Sequence, residues 1–203
     1  MRVSTIVLAG ILLCGCEPTP GPMADLHDSK YSVVEVGGGA SGHCTLDSYT
    51  GLTWEVKSDE PGLHDWRNTY SWFDPRESND ELDYRGLADG GQCANSDCDT
   101  WDFVRAVNDE GYCGYKDWRA PSRDELQSIS DLRKADSPPT INAAHFPHTQ
   151  AEEYWSANDY SFQHDAAWAW NFRFGHDRVD WKKTPKFLRL VRGEAEQLIP
   201  VKE

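Results

Sequence analysis

The groups in this chain best able to do chemistry are its six cysteines, seven histidines and 34 carboxylate side chains. Four cysteines, Cys44, Cys93, Cys98 and Cys113, fall among patterned hydrophobic residues. An even set in an oxidising compartment reads as two disulfides. Zinc is the competitor, but a four-residue spacer with no second cysteine pair is poor zinc spacing. Geometry ranks the three possible pairings. Cys98 and Cys113 bracket an expected helix of about ten residues, whose ends would lie ~15 Å apart, and a disulfide tolerates Cα separations only near ~5.5 Å. Cys93 and Cys98 enclose Ala-Asn-Ser-Asp, a natural turn. The favoured pairing is therefore Cys93–Cys98 with Cys44–Cys113.

The histidines raise zinc again. His145-Phe-Pro-His148, Gln163-His164-Asp165 and Gly175-His176-Asp177 have spacings that match no zinc pattern. Calcium is the other candidate, through Asn158-Asp159 and the carboxylates from Asp74 to Asp83. It needs about six to eight oxygens converging from several segments, and a solvated acidic loop is the default reading. No metal and no cofactor is expected, calcium being the one ion worth testing. The sequence holds no Gly-x-Ser-x-Gly elbow, phosphate loop or dinucleotide fingerprint, so a non-enzyme is expected.

What remains is recognition chemistry. Asn158, Asp159, Tyr160, Phe162, Gln163 and His164 are read as one turn. His176, Asp177, Arg178, Asp180 and Trp181 are read as another, with Arg173 just ahead of it. Both mix aromatics with hydrogen-bonding groups, the composition of binding surfaces. Trp181 or Tyr160 could stack on a sugar ring. Asp117-Trp118-Arg119 is dense enough to look functional, but its place between two helices favours a structural role, with the indole in the core and the guanidinium paired.

These side chains need elements to hold them. Val33–Val36 is expected as a first strand, closed by Gly37-Gly38-Gly39. Thr50–Lys57 alternates Leu52, Trp54 and Val56, a half-buried strand. Ser58–Gly91 reads as a long ordered loop pinned by Trp66, Tyr70, Trp72 and Phe73. Asp99 caps a helix through Trp101, Phe103, Val104 and Val107 that Gly111 ends. Ser122 and Glu125 form a capping box opening a second helix through Leu126, Ile129 and Leu132. Tyr154-Trp155-Ser156 is a short strand. Trp168, Trp170, Phe172 and Phe174 alternate along another and are assigned to the core. Phe187–Val191 is the last strand. The fold class is α+β, two helices on a small, mainly antiparallel sheet with long ordered loops.

Both ends of the chain differ from this middle. Arg2, the apolar run Val3–Leu13 and Leu13-Cys14-Gly15-Cys16 form a three-part secretory signal, too short to span a bilayer, which needs about 20 residues. The ending resembles the lipobox of bacterial lipoproteins. It implies cleavage after residue 15, acylation (including palmitate) of Cys16, and, with Glu17 rather than Asp following, an outer-membrane anchor. Residues 16–30 are a proline-rich tether, 31–193 the domain and 194–203 a charged tail. Loss of residues 1–15 leaves 19 basic against 34 acidic residues, a charge of −15. Such a balance argues against binding nucleic acid. The expected partners are the membrane, through Cys16, and a glycan or protein ligand.

One family resemblance covers residues 44–193. Cys44-Thr-Leu-Asp-Ser-Tyr-Thr-Gly-Leu-Thr-Trp-Glu55, Cys98-Asp-Thr, Phe103-Val-x-Ala-Val-Asn108, the run from Gly111 through Asp117-Trp118-Arg119 to Leu126, Ile141-Asn, Phe146-Pro, Tyr154-Trp-Ser156 and Leu190-Val-Arg192 occur in an order similar to that of the Lcl C-terminal-type domain. Ala120 and Ser122 stand where the family usually has Leu and Thr. The resemblance implies a C-type-lectin-like fold, distantly related to formylglycine-generating enzymes, and a surface module that binds a ligand without a reaction. The alternatives are a structural lipoprotein docking through the aromatic loop at 66–73, or an enzyme of the formylglycine-generating group. The latter needs a late redox-active cysteine pair, and every cysteine here precedes residue 114.

Overall fold

Two helix starts are set by local chemistry. In the computed structural model, which describes residues 30–34, 43–77 and 82–194, helix α1 spans Thr100–Glu110. The Asp99 carboxylate accepts from the backbone N–H of Trp101 at 3.0 Å and of Asp102 at 2.9 Å, and Gly111 ends the helix at φ 72°. That left-handed conformation costs a glycine little. Helix α2 spans Arg123–Ser128, and both bonds of its Ser122–Glu125 capping box are made. It is shorter than expected. Ser130 pairs with Ile141 in a β-bridge, Leu132 begins a separate 3-10 turn, and its side chain is 61% exposed. Leu132 is thus not a core position of α2. No described helix is long and apolar enough to cross a membrane.

The strands form two small antiparallel sheets. In the first, β1 (Tyr31–Val33), β2 (Cys44–Asp47), β3 (Thr53–Glu55) and β7 (Val191–Arg192) lie in the order β1-β2-β3-β7. In the second, β4 (Glu153–Asp159), β5 (Ala166–Asn171) and β6 (His176–Trp181) lie in sequence order. Bridges from Tyr154 to Phe187 and from Arg119 to Val191 tie these pieces together. Two helices with antiparallel sheets make an α+β fold.

Several strands depart from expectation. The first ends at Val33, and residues 35–36 with the Gly37–Gly39 run lie outside the described residues. Strand β2 was not anticipated. Strand β3 is buried on both faces rather than one, with Trp54 packed into the core on one side and Glu55 held by Lys57 and His64 on the other. Strand β5 stops at Asn171, and Phe172–Gly175 turns the chain, so Phe174 lies 54% exposed instead of in the core. Residues 176–181 are a strand in register with β5, not a turn. Only Val191 of the expected last strand is in β7.

The core has two aromatic-rich halves. Tyr70, Trp72, Phe103, Trp118 and Trp155 pack with Val107 and Leu190 in one. Trp54, Phe146, Tyr154, Trp170 and Phe172 pack with Leu52, Leu126 and Ile129 in the other. Five of the nine tryptophans are thus buried, which is how a chain of modest aliphatic content fills its interior. The disulfides are those ranked first, Cys44–Cys113 with Cα atoms 6.5 Å apart and Cys93–Cys98 with 5.4 Å. The leader, Cys16, most of the tether and residues 195–203 of the tail lie outside the described residues.

Candidate functional site

The strongest concentration of titratable groups is inside the molecule. Glu55 on β3 is fully buried, and its Oε1 lies 2.7 Å from the Lys57 ammonium and 2.8 Å from His64 Nδ1. Its Oε2 accepts from Leu190 N–H at 2.9 Å. Burial pushes the Glu55 carboxyl up, but Lys57 and His64 together outweigh that and hold it at about 2. Burial takes Lys57 below its ordinary value despite the Glu55 carboxylate. The carboxylate's direction governs, since cation, imidazole and backbone amide converge on it. The far nitrogen of His64 meets Glu110 at the end of α1, at 3.0 Å, and its ring stacks on Tyr112 at 3.8 Å. Beside them, buried Arg189 donates to Glu55 O at 2.5 Å and to Thr149 Oγ1 at 2.9 Å. These groups join β3, α1 and the loops at 64 and 189, while Lys57 Nζ, ion-paired to Glu55, and Arg189 Nε make no hydrogen bond among the described residues.

The acidic stretches are also internally paired. Asp65, Asp74, Asp83 and Asp131 each hold the arginine two residues on, at distances of 3.0, 2.5, 2.7 and 2.8 Å. A guanidinium bound to each carboxylate competes with any cation there. Among the described residues, no group of three or more His, Cys, Asp or Glu side chains is arranged to hold a metal ion.

The Asp117-Trp118-Arg119 block is structural. The Trp118 indole is buried and donates to Tyr112 O at 3.0 Å. Arg119 forks onto Glu125 at 2.8 and 2.6 Å, and Asp117 pairs with Arg192 at 2.7 Å. The aromatic loop at 66–73 turns inward: Tyr70 and Trp72 are buried, and the Trp66 indole donates to Asp59 at 2.8 Å.

The residues singled out for recognition divide between two ends of the second sheet. Arg173 and His176 lie at the β5–β6 hairpin, where each packs on Phe174, at 5.6 and 5.8 Å between centres. The other end of β6 is roughly 17 Å away at ~3.4 Å per residue. Asn158 and Asp177 are engaged by α2, accepting from Arg123 N at 2.9 Å and Arg123 Nη1 at 2.8 Å. Arg178 faces Glu153 at 3.3 Å. Tyr160 packs edge-on to Trp168 at 5.4 Å, and Gln163 closes its turn by a backbone bond to Tyr160 O at 3.0 Å.

Three of the set do meet. His164 and Trp181 line one cleft of about 210 Å³ together with Leu87, Gly86, Asp83, Asp165, Lys182 and Lys183. Asp159 holds Lys182 at 2.5 Å. The Lys182 ammonium also donates to Tyr84 O and sits 4.2 Å from the Trp72 ring centre. Trp181 is 45% exposed and Leu87 44%. Gly86 allows the loop to close in: at φ +87°, a Cβ there would lie 2.2 Å from Trp72 O.

A second hollow, of about 420 Å³, was missed by sequence reasoning. Trp72, Phe73, Trp101, Val104 and Trp118 form much of it, with Arg76 and Arg119 among its polar lining. Arg76 lies over the Trp101 ring at 4.8 Å. Its lining comes from four separated segments, so no local pattern marks it. The half-exposed first-turn position of Trp101 was the only available signal.

The family model described as the Lcl C-terminal domain matches residues 43–192. No curated protein and no solved structure matches.

Proposed function

The chain belongs to the Lcl C-terminal domain family, a cell-envelope-associated type of domain, and from that premise we propose that it is a non-catalytic recognition module that binds a saccharide in the cleft beside Trp181. The observation that carries this reading is the exposed Trp181 ring, lining with Leu87 a small cleft in which Lys182 and Asp83 are held by Asp159 and Arg85. An indole face packs against the C–H face of a sugar ring, while ammonium, imidazole and carboxylate groups at the same opening bond its hydroxyls. Lys182 is pinned by Asp159, and Lys183, His164 and Asp165 lie at the same opening. A protein ligand is the second reading, favoured by the apolar Leu87 next to Trp181.

The absence of catalysis is part of the proposal. The buried Glu55 carboxylate is held by Lys57 and His64, and all four described cysteines are in disulfides. We assign no cofactor, calcium included. The C-type-lectin-like architecture is supported by two helices, small antiparallel sheets and long ordered loops. The lipobox at Cys16 supports an acyl-anchored chain in the outer membrane, with the proline-rich tether carrying the domain clear of the lipid. Two measurements test these parts separately. Mass spectrometry of the chain purified from membranes reports a diacylglycerol-sized addition on Cys16, and an unmodified Cys16 overturns the anchor. A glycan array probed with the domain gives a signal that Trp181→Ala abolishes; a blank array for the folded wild-type domain overturns the saccharide reading.

A further inference from the structure

Four of the tryptophans are not buried, and three of them carry an arginine over the ring. Arg67 lies 4.7 Å from the Trp66 ring centre, Arg76 4.8 Å from Trp101 and Arg123 4.1 Å from Trp168. A carboxylate fastens each guanidinium: Asp59 at 2.5 Å, Asp74 at 2.5 Å and Asp177 at 2.8 Å. A guanidinium so placed takes up the indole face on which a sugar's C–H groups would pack. Trp181 is the exception. Its ring is 45% exposed, and no cation among the described residues lies over it.

The charges around that open ring cancel. Lys182 is 1% exposed, its ammonium taken up by Asp159, Tyr84 O and the Trp72 ring. Asp83 is held by Arg85 at 2.7 Å. Lys183 and Asp165 are left, both exposed at the opening and neither ion-paired among the described residues. A charged substituent entering there meets one attraction and one repulsion, and gives up hydration. An acidic substituent also meets the field of a chain whose net charge is −14 over the whole sequence. The cleft holds about 210 Å³, below the roughly 300–1,000 Å³ of pockets for drug-sized ligands, which is room for one ring. We infer that the Trp181 cleft takes a single uncharged sugar ring in preference to an acidic one, an inference that rests on the saccharide reading given above.

Titration of matched sugars into the full chain from residue 16, with Cys16→Ser so that it needs no lipid, tests this. The probes are methyl pyranosides of the gluco, galacto and manno series, each as the neutral hexoside and as its uronide. The readout is the Trp181 indole N–H signal in NMR spectra, identified by its loss in Trp181→Ala. In at least one series the neutral pyranoside is expected to shift that signal and to bind at least about fivefold more tightly than its uronide. Its affinity should change by less than about twofold between roughly 50 and 500 mM NaCl. The signals of Trp66 and Trp168, under their arginines, should stay in place. A uronide that binds as tightly or more tightly, or a neutral-sugar affinity that falls steeply with salt, overturns the inference and leaves the saccharide reading standing. A Trp181 signal unmoved by every pyranoside overturns the single-ring site. A blank glycan array for the same chain removes the saccharide reading and the inference together.

Discussion

Replacing Glu55 with Gln keeps its shape and removes its charge. The Lys57 ammonium, buried 4.4 Å from the Phe103 ring centre, then has no carboxylate at 2.7 Å to compensate it. Breaking a buried pair by removing one partner costs about 3–5 kcal/mol. For a domain of this size that lowers the melting midpoint by roughly 10 °C. The pH dependence gives an independent estimate. The carboxyl is held at about 2 against an ordinary value of 4.5, a difference worth roughly 3 kcal/mol. A depressed carboxylate contributes stability that is fully present above the ordinary value and is lost as pH falls through the folded value. Wild-type stability should therefore decline between pH 5 and 2, and Glu55→Gln should lack that component of the decline. Urea titrations with the disulfides intact, at pH 7 and at steps down to pH 3, measure both. Adding Lys57→Met to Glu55→Gln should recover most of the loss, because no unpaired ammonium is then left inside. A Glu55→Gln protein within about 1 kcal/mol of wild type at pH 7, with the wild-type acid profile, would refute the reasoning.

Three further outcomes follow from other parts of the fold. Trp118→Ala removes a buried indole and its bond to Tyr112 O; a loss of about 3–5 kcal/mol is expected in urea titration. Weakened ligand binding at unchanged stability would instead place Trp118 in a site. Serine at both Cys44 and Cys113 opens a bridge spanning 69 positions and should cost about 4 kcal/mol, whereas opening Cys93–Cys98, spanning 5, should cost about 2. Calorimetry of the two double variants checks the order. Gly86→Ala sets a Cβ 2.2 Å from Trp72 O at φ +87°, so the loop must move off Trp72. Lower thermal stability and weaker ligand binding are expected together.

Sequence reasoning succeeded where the determining contacts are local. Asp99, Gly111 and the Ser122–Glu125 box act within one turn of their helices, and Cys93–Cys98 closes over four residues. It failed where partners come from afar. Glu55 and Lys57 alternate with Trp54 and Val56 and so resembled a solvent face, yet their surroundings include His64, Glu110 and Arg189. Strand β6 carries charge on both faces as the free edge of its sheet, a composition that protects an edge from pairing and also hides its period. Helix α2 stops at Ser128 because Ser130 is drawn to Ile141, a contact no capping rule contains. The candidate ligand surface was legible in kind but not in extent. Of the residues proposed, His164 and Trp181 line the cleft and Asp159 supports it through Lys182. Gly86 and Leu87, which complete it, lie in the stretch Ser58–Gly91 that reads only as a long ordered loop.

The account stands most directly on ligand binding at Trp181. Isothermal titration of the domain with the saccharide retained from an array, carried out for wild type and for Trp181→Ala with melting curves alongside, measures it. The account predicts at least about a tenfold loss of affinity on removing the indole, in line with a central aromatic contact, and a melting temperature close to wild type because the ring is 45% exposed. Undiminished affinity in a folded Trp181→Ala domain would contradict it.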